Sequence, residues 1–254
     1  MIADLVGKVV WLHPEPCMLH AASDVAFCRW ELRPIKLSPF GIGKYPVTNL
    51  EFMAFVWETK YDACDDNFVA HWRKKGREKG RAGWICPAEA VSAHPVVYVS
   101  HDDASAYCAW AGARLPTYEE LQYAARGNTG WRFPWGNEFS IVKAVTRESP
   151  LRRTVPVDAY SPQGDSIFGV TGLCGNAWAW TDSVFEKSDR DSEFDLFLAF
   201  GSAFDHMSFQ QEIPLNRSYR NHSVGMRVCY DRPENAAATG EKLHAFIANM
   251  PKLR

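Results

Sequence analysis

No CxxC pair occurs among the seven cysteines of this 254-residue chain. Cys17, Cys28, Cys64, Cys86, Cys108, Cys174 and Cys229 stand far apart, which argues against a zinc ribbon and against a disulfide scaffold. Buried thiols in a reducing compartment are the expectation. Charge of one sign is missing too: 28 Lys and Arg face 30 Asp and Glu, a net charge of −2. That gives no electrostatic case for nucleic acid or an anionic membrane as partner. No apolar run approaches membrane-spanning length, and the opening residues, MIADLVGKVVWLHPEP, lack a basic region followed by a long apolar stretch. The expectation is a cytoplasmic protein. A P-loop, a GxGxxG turn and a Ser-His-Asp order are absent as well, which removes the kinase, dinucleotide and hydrolase readings. No internal repeat is seen.

What is present is an apolar fraction of 46%, enough for a sizeable core, with ten Trp and fifteen Phe. So many large aromatics are expected to fill space beneath long loops. Residues 1–231 read as one domain, and 232–254 as a linker followed by a short helix, Glu241–Asn249. Val6–Leu19 is expected to be an opening strand, and Phe27–Leu37 (FCRWELRPIKL) a half-buried one. The stretch HWRKKGREKGRAGW, His71–Trp84, gathers six Lys and Arg with two Trp. Its glycines and Glu78 break the basic run, and it reads as a solvated loop rather than a nucleic-acid surface. Phe185–Phe194 reads as a surface loop and Leu196–Phe204 as a strand buried on both faces.

The most legible stretch is Val99–Gly136. Ser100 with Asp103, and Thr117 with Glu120, write helix starts. Ala104, Tyr107, Cys108 and Ala111 form one apolar face, Leu121, Ala124 and Ala125 another, and Gly112 and Gly127 supply the stops. Thr48 and Glu51 repeat the start signal ahead of Phe52, Phe55 and Val56. Trp110, Leu115, Leu121, Trp135, Trp178 and Trp180 are the expected core.

AYCAWAGARLPTYEELQYAARG followed by FPWGN resembles the formylglycine-generating enzymes, the sulfatase-modifying factors. KYPVTNLEFMAFV (Lys44–Val56), GLCGNAWAWTDS (Gly172–Ser183) and GSAF…YRNHSVGMRVC (Gly201–Cys229) extend the resemblance, in order, over nearly the whole chain. It implies an α+β fold, the C-type lectin-like variant of that family: irregular, loop-rich, with few short helices and small antiparallel sheets. The family shares this domain with ergothioneine sulfoxide synthases and with variable proteins of diversity-generating retroelements. The resemblance also implies that Cys108 and Cys229 are neighbours, here as free thiols, and that Arg227 sits in a structural ion pair or stack. Arg217 and Arg220 are read as anchors of the last loop.

In the enzymes, a cysteine pair behind the GS motif binds copper, a task suited to soft sulfur. Here the matching stretch is GSAFDHMSFQQEIP, Gly201–Pro214, and Asp205 and Gln210 stand where those cysteines would be. The copper-thiol mechanism is therefore not expected. Calcium is not expected either: Asn176 matches the family's calcium loop, but Ala179 replaces its Glu, and the second loop is shortened at Ala144–Pro162. Asn176, Asp205 and His206 are the candidate metal ligands, and no cofactor is called for unless the chain is an iron or copper oxidase. Glu212 and His222 belong to the same class of hard or borderline ligand.

Two functions remain. The first is a binding module that displays Ala203–Ser223 to a protein or small-molecule ligand, as retroelement variable proteins do. Asp205, His206, Phe209, Gln210, Tyr219, Asn221 and His222 would line its site, with Trp178 or Trp180 beneath. The alternative is a metal-dependent oxidase or oxygenase. Binding is the reading carried forward, because nothing equally specific replaces the missing thiols.

Overall fold

The computed structural model describes residues 2–20, 32–62, 92–186, 195–208 and 212–250. The basic run His71–Trp84, most of the loop after Phe185, and the expected site residues Phe209 and Gln210 lie outside the described residues.

Three helices begin as their spacing dictates. Helix α1 (Asn49–Thr59), α2 (His101–Trp110) and α3 (Tyr118–Arg126) each open on a reciprocal capping box: Thr48 with Glu51, Ser100 with Asp103, Thr117 with Glu120. In each box the cap hydroxyl accepts from the N3 backbone N–H at 3.2 Å, while the N3 carboxylate accepts from the cap N–H at 2.7–2.8 Å. Losing such a cap costs about 0.5–2 kcal/mol. Ala104, Tyr107, Cys108 and Ala111 are buried along α2, and Leu121, Ala124 and Ala125 along α3. Phe52 stacks on Tyr107 with ring centroids 5.8 Å apart, and Phe55 meets the same ring edge-on at 5.7 Å, which locks α1 to α2.

The strands form three small sheets. β1 (Val9–Leu12), β4 (Phe40–Gly43) and β9 (Cys229–Tyr230) pair antiparallel with β4 central. β2 (Cys17–His20) and β3 (Leu32–Ile35) make a two-stranded ribbon. β7 (Glu212–Asn216), β6 (Leu196–Phe200), β5 (Trp178–Glu186) and β8 (Val224–Gly225) form the largest sheet, antiparallel except where β8 runs parallel to β5. β6 lies between β5 and β7, and Phe197–Phe200 are buried on both faces as their apolar run implies.

Three expectations need correction. The opening strand is two strands, because Pro14 and Pro16 cannot donate to a ladder and break it between β1 and β2. Residues 32–34 of β3 are exposed rather than half-buried, since the ribbon covers only one edge of the domain. The run read as a linker is helical: helix α4 spans Pro233–Asn249, with Pro at its first turn and alanines behind it. It packs on the domain through Leu243, which joins Val6 and Ala54 in one buried cluster, and through Thr239, which donates to Ala111 O.

Of the six expected core residues, Leu115, Leu121, Trp178 and Trp180 are buried. Trp110 and Trp135 are only half-buried. Trp135 stacks on Phe133 at 5.6 Å, and its Nε1 donates to Glu138 O in a surface turn. Arg227 is fully buried and makes no ion pair among the described residues. Its guanidinium donates to the carbonyls of Gly43, Lys44, Thr171 and Gly172 and stitches the β4 turn to the 171–172 turn. Cys108 and Cys229 are free and buried. The backbone of Arg114, in the turn after α2, pairs with that of Cys229.

Candidate functional site

After β6 the chain turns sharply at Gly201 (φ 107°) and Ser202 (φ 70°). The left-handed Ser202 is held by its own hydroxyl, which donates to Met207 O at 3.0 Å. Gly175 N donates to Gly201 O at 2.7 Å and Phe204 N to Asn176 O, so the 203–208 loop lies against the GLCGNAW turn. On its far side Glu148 clamps it, accepting from Ser208 N at 2.9 Å and Ser208 Oγ at 2.7 Å. Arg147 N donates to His206 O.

The second half of the site is the turn from Arg217 to Ser223. Arg217 donates to Asp102 at 2.6 Å, and Arg220 forks onto both oxygens of Asp103 at 2.8 and 3.0 Å. Both carboxylates sit in the first turn of α2. Tyr98 N donates to Asn221 O at 2.9 Å. The arginines thus anchor the loop, as read from the sequence.

This anchoring brings His222 to Asp205. One carboxylate oxygen of Asp205 is 2.9 Å from His206 Nδ1, and the other is 2.9 Å from His222 Nε2. Both imidazoles are braced by aromatics. Trp178 meets His206 edge-on at 5.3 Å, and Phe204 meets His222 at 5.5 Å. Tyr98 lies 6.3 Å from His222. Asn221 Nδ2 donates to the half-exposed Tyr219 hydroxyl at 2.6 Å. Among the described residues three polar atoms here are buried without a partner: Trp178 Nε1, Asn221 Oδ1 and Ser223 Oγ.

Asp205, His206 and His222 therefore meet, Trp178 lies buried against the His206 ring, and Tyr219 and Asn221 stand in the same turn as His222. Trp180 does not join them: its Nε1 donates to Val99 O at 2.9 Å, and its ring meets His101 edge-on. Tyr98, Phe204, Glu148 and Ser208 belong to the site and were not singled out in the sequence. Phe204 adjoins Asp205 in the GSAF motif, which was its one available signal.

The donor set does not suit a soft metal. Cys174 is the cysteine next to this loop, but it is buried, its Sγ lies 3.9 Å from Ser208 O, and burial pushes its pKa up to about 12. Asn176 is committed elsewhere: Oδ1 accepts from Val155 N at 3.0 Å, and Nδ2 donates to Val155 O at 3.1 Å. His206 and His222 address opposite oxygens of Asp205. Among the described residues, no three His, Cys, Asp or Glu side chains are placed to hold a metal ion together.

With this geometry in view, residues 16–232 match the sulfatase-modifying factor enzyme 1-like domain. The chain belongs to that family. Inactive C-alpha-formylglycine-generating enzyme 2 of Bos taurus is 36% identical over 197 residues, which cover 63% of this chain and 65% of that protein. Formylglycine-generating enzyme of Bos taurus is 34% identical over 59% of this chain and 50% of its own. Hercynine oxygenase of Mycolicibacterium smegmatis is 32% identical over 59% of this chain and 38% of its own. The match thus spans less than two thirds of each of these relatives. PvdO from Pseudomonas aeruginosa superposes with a TM-score of 0.65 at 22% identity, over 88% of this chain and 94% of its own. Treponema denticola variable protein 1 does so at 0.64 and 14% identity, over 88% and 95%. These two likenesses establish the fold: the formylglycine-generating-enzyme type of irregular α+β architecture. No helix among the described residues is long and apolar enough to cross a membrane.

Proposed function

We propose that this chain is a ligand-binding member of its family, which recognises a protein or small molecule where enzymes of the family oxidise a thiol. The observation that carries the reading is the partly exposed Asp205 carboxylate, which engages His206 through one oxygen and His222 through the other. Asp205 also fixes the histidine tautomers. A neutral imidazole that donates through one nitrogen accepts through the other. His206 Nε2 and His222 Nδ1 are the ring nitrogens that Asp205 leaves over, beside the rings of Trp178 and Phe204. Such a surface suits a ligand rich in N–H or O–H donors and needs no net charge. An iron or copper oxidase would need ligands converging on one point, and this pairing sends the histidines to opposite oxygens.

The test is selection of a displayed random-peptide library on the immobilised chain, counter-screened with Asp205→Ala and His222→Ala. Peptides retained by the wild type and lost by both variants support the reading. Failure to enrich any sequence, together with close to one equivalent of iron or copper in the purified protein, would reverse it in favour of the oxidase.

A further inference from the structure

A second concave site lies elsewhere and shares no residue with the Asp205 surface. Between the β2–β3 ribbon and the C-terminal end of α3 is a cavity of about 360 Å³. That falls within the ordinary range for small-molecule pockets, about 300–1,000 Å³. Its wall includes Leu19, Gln122, Arg126 and Trp131. Met18 and Leu32, 53% and 55% exposed, stand at its rim as two of the largest apolar exposures of the domain.

Arg126 is the feature that asks for a ligand. It is half-buried in the last turn of α3, and among the described residues it makes no ion pair. Its one hydrogen bond there is long, 3.4 Å from Nη2 to Gln122 Oε1. Gln122 is already occupied by β2, donating to His20 O at 2.6 Å and accepting from His20 N at 3.3 Å. Burial pulls the Arg126 pKa below its ordinary value, and nearby Tyr118 and Glu212 offset this only in part. Glu212 is itself held by the Tyr118 hydroxyl at 3.2 Å. A guanidinium carries five N–H donors in a planar fork that matches a carboxylate. Among the described residues most of that fork has no acceptor, and Arg126 lines a cavity whose wall joins the apolar Met18, Leu19, Leu32 and Trp131 to the polar His20, Gln122 and Asn128.

We infer that this cavity binds a small organic carboxylate with an apolar body, the carboxylate on Arg126 and the body against Trp131, Leu19 and the Met18–Leu32 rim. The two parts answer the two parts of the site. An inorganic anion would leave the apolar wall wet, and a neutral apolar compound would leave the cation unpaired.

Isothermal titration of the full chain with 2-naphthoate, with 2-naphthamide as the uncharged isostere, tests this. The expected result is one saturable site for naphthoate, with the amide at least about tenfold weaker. Arg126→Gln should reduce naphthoate affinity about tenfold or more and leave the amide unchanged. Met18→Glu, an exposed substitution that should not disturb folding, should weaken naphthoate by repulsion at the rim. Absence of saturable binding, equal affinity for acid and amide, or indifference to both substitutions would overturn the inference. Asp205→Ala should leave naphthoate binding intact, which separates this site from the recognition surface.

Discussion

Asp205 Oδ2 and His222 Nε2 lie 2.9 Å apart, joined across 17 residues by two loops that start from different strands. The pair is partly exposed, with 29% of the Asp205 side chain and 47% of the His222 side chain accessible. Exposed pairs of this kind contribute about 0–1 kcal/mol to stability. Asp205→Ala should therefore lower Tm by no more than about 2–4 °C in a domain of this size, while the selected peptides no longer bind. Thermal scanning and a binding isotherm on the same sample check both halves. A much larger fall in Tm with binding intact would make the cluster a loop anchor.

No conversion of cysteine to formylglycine is expected in a sulfatase-type peptide, with or without added Cu(I). The sequence has no cysteine between Cys174 and Cys229, and Cys174 is buried with a raised pKa. Mass spectrometry of the peptide after incubation is the readout. Turnover would require a thiol pair outside the GS loop.

The four described cysteines, Cys17, Cys108, Cys174 and Cys229, should resist alkylation in the native protein. All are buried, and burial raises the pKa of each, so little thiolate is available to react. Peptide mapping after a brief iodoacetamide pulse at about pH 8, native against denatured, should show these positions labelled only on unfolding.

His101 should give the protein an acid-sensitive limb. Its ring stacks on Phe197 at 3.8 Å between centroids and meets Trp180 edge-on. Burial lowers its pKa below the ordinary 6.5, with Asp182 opposing. As pH falls the unfolded chain takes up a proton before the folded one does. The stability contributed by neutral His101 is thus complete above about pH 6.5 and is lost as pH drops below it toward the folded-state pKa. His101→Phe should shrink the difference between Tm at about pH 7.5 and about pH 5.5. An unchanged difference would assign the acid limb to other groups.

Leu243→Ala should destabilise the domain by about 2–5 kcal/mol. The side chain is 2% exposed between Val6 and Ala54, so its loss leaves a cavity where α4 meets the rest of the chain. Urea unfolding with an unchanged slope would measure it. A change near zero would mean that α4 is held by its polar contacts with Ala111 and Gly112 instead.

The local signals in the sequence were sufficient for what one turn of backbone decides. Thr48 and Glu51, Ser100 and Asp103, and Thr117 and Glu120 are three residues apart, within reach of each other in any helix that starts there, so spacing alone locates α1, α2 and α3. The lack of thiols behind the GS motif is likewise a property of the residues themselves, and it excludes the copper pair in every conformation. The motifs carried the family, because four of them occur in its order along the chain.

Tertiary structure decided the rest. Arg227 read as a structural ion pair or stack, yet it serves carbonyls up to 184 residues away, which no local pattern encodes. Asn176 reads as a residue that bonds backbone rather than calcium, but only the fold set Val155, 21 residues away, against it as the partner. The Pro-Glu-Asn-Ala run looked like a linker, but α4 covers the apolar edge left by Val6 and Ala54, and packing of that face favours helix over coil. Asp205 and His206 were legible as candidates, but a carboxylate shared by two histidines was not. That arrangement depends on where Arg217 and Arg220 seat the last loop on α2, and side chains distant in sequence meet only where packed elements fix the loops between them.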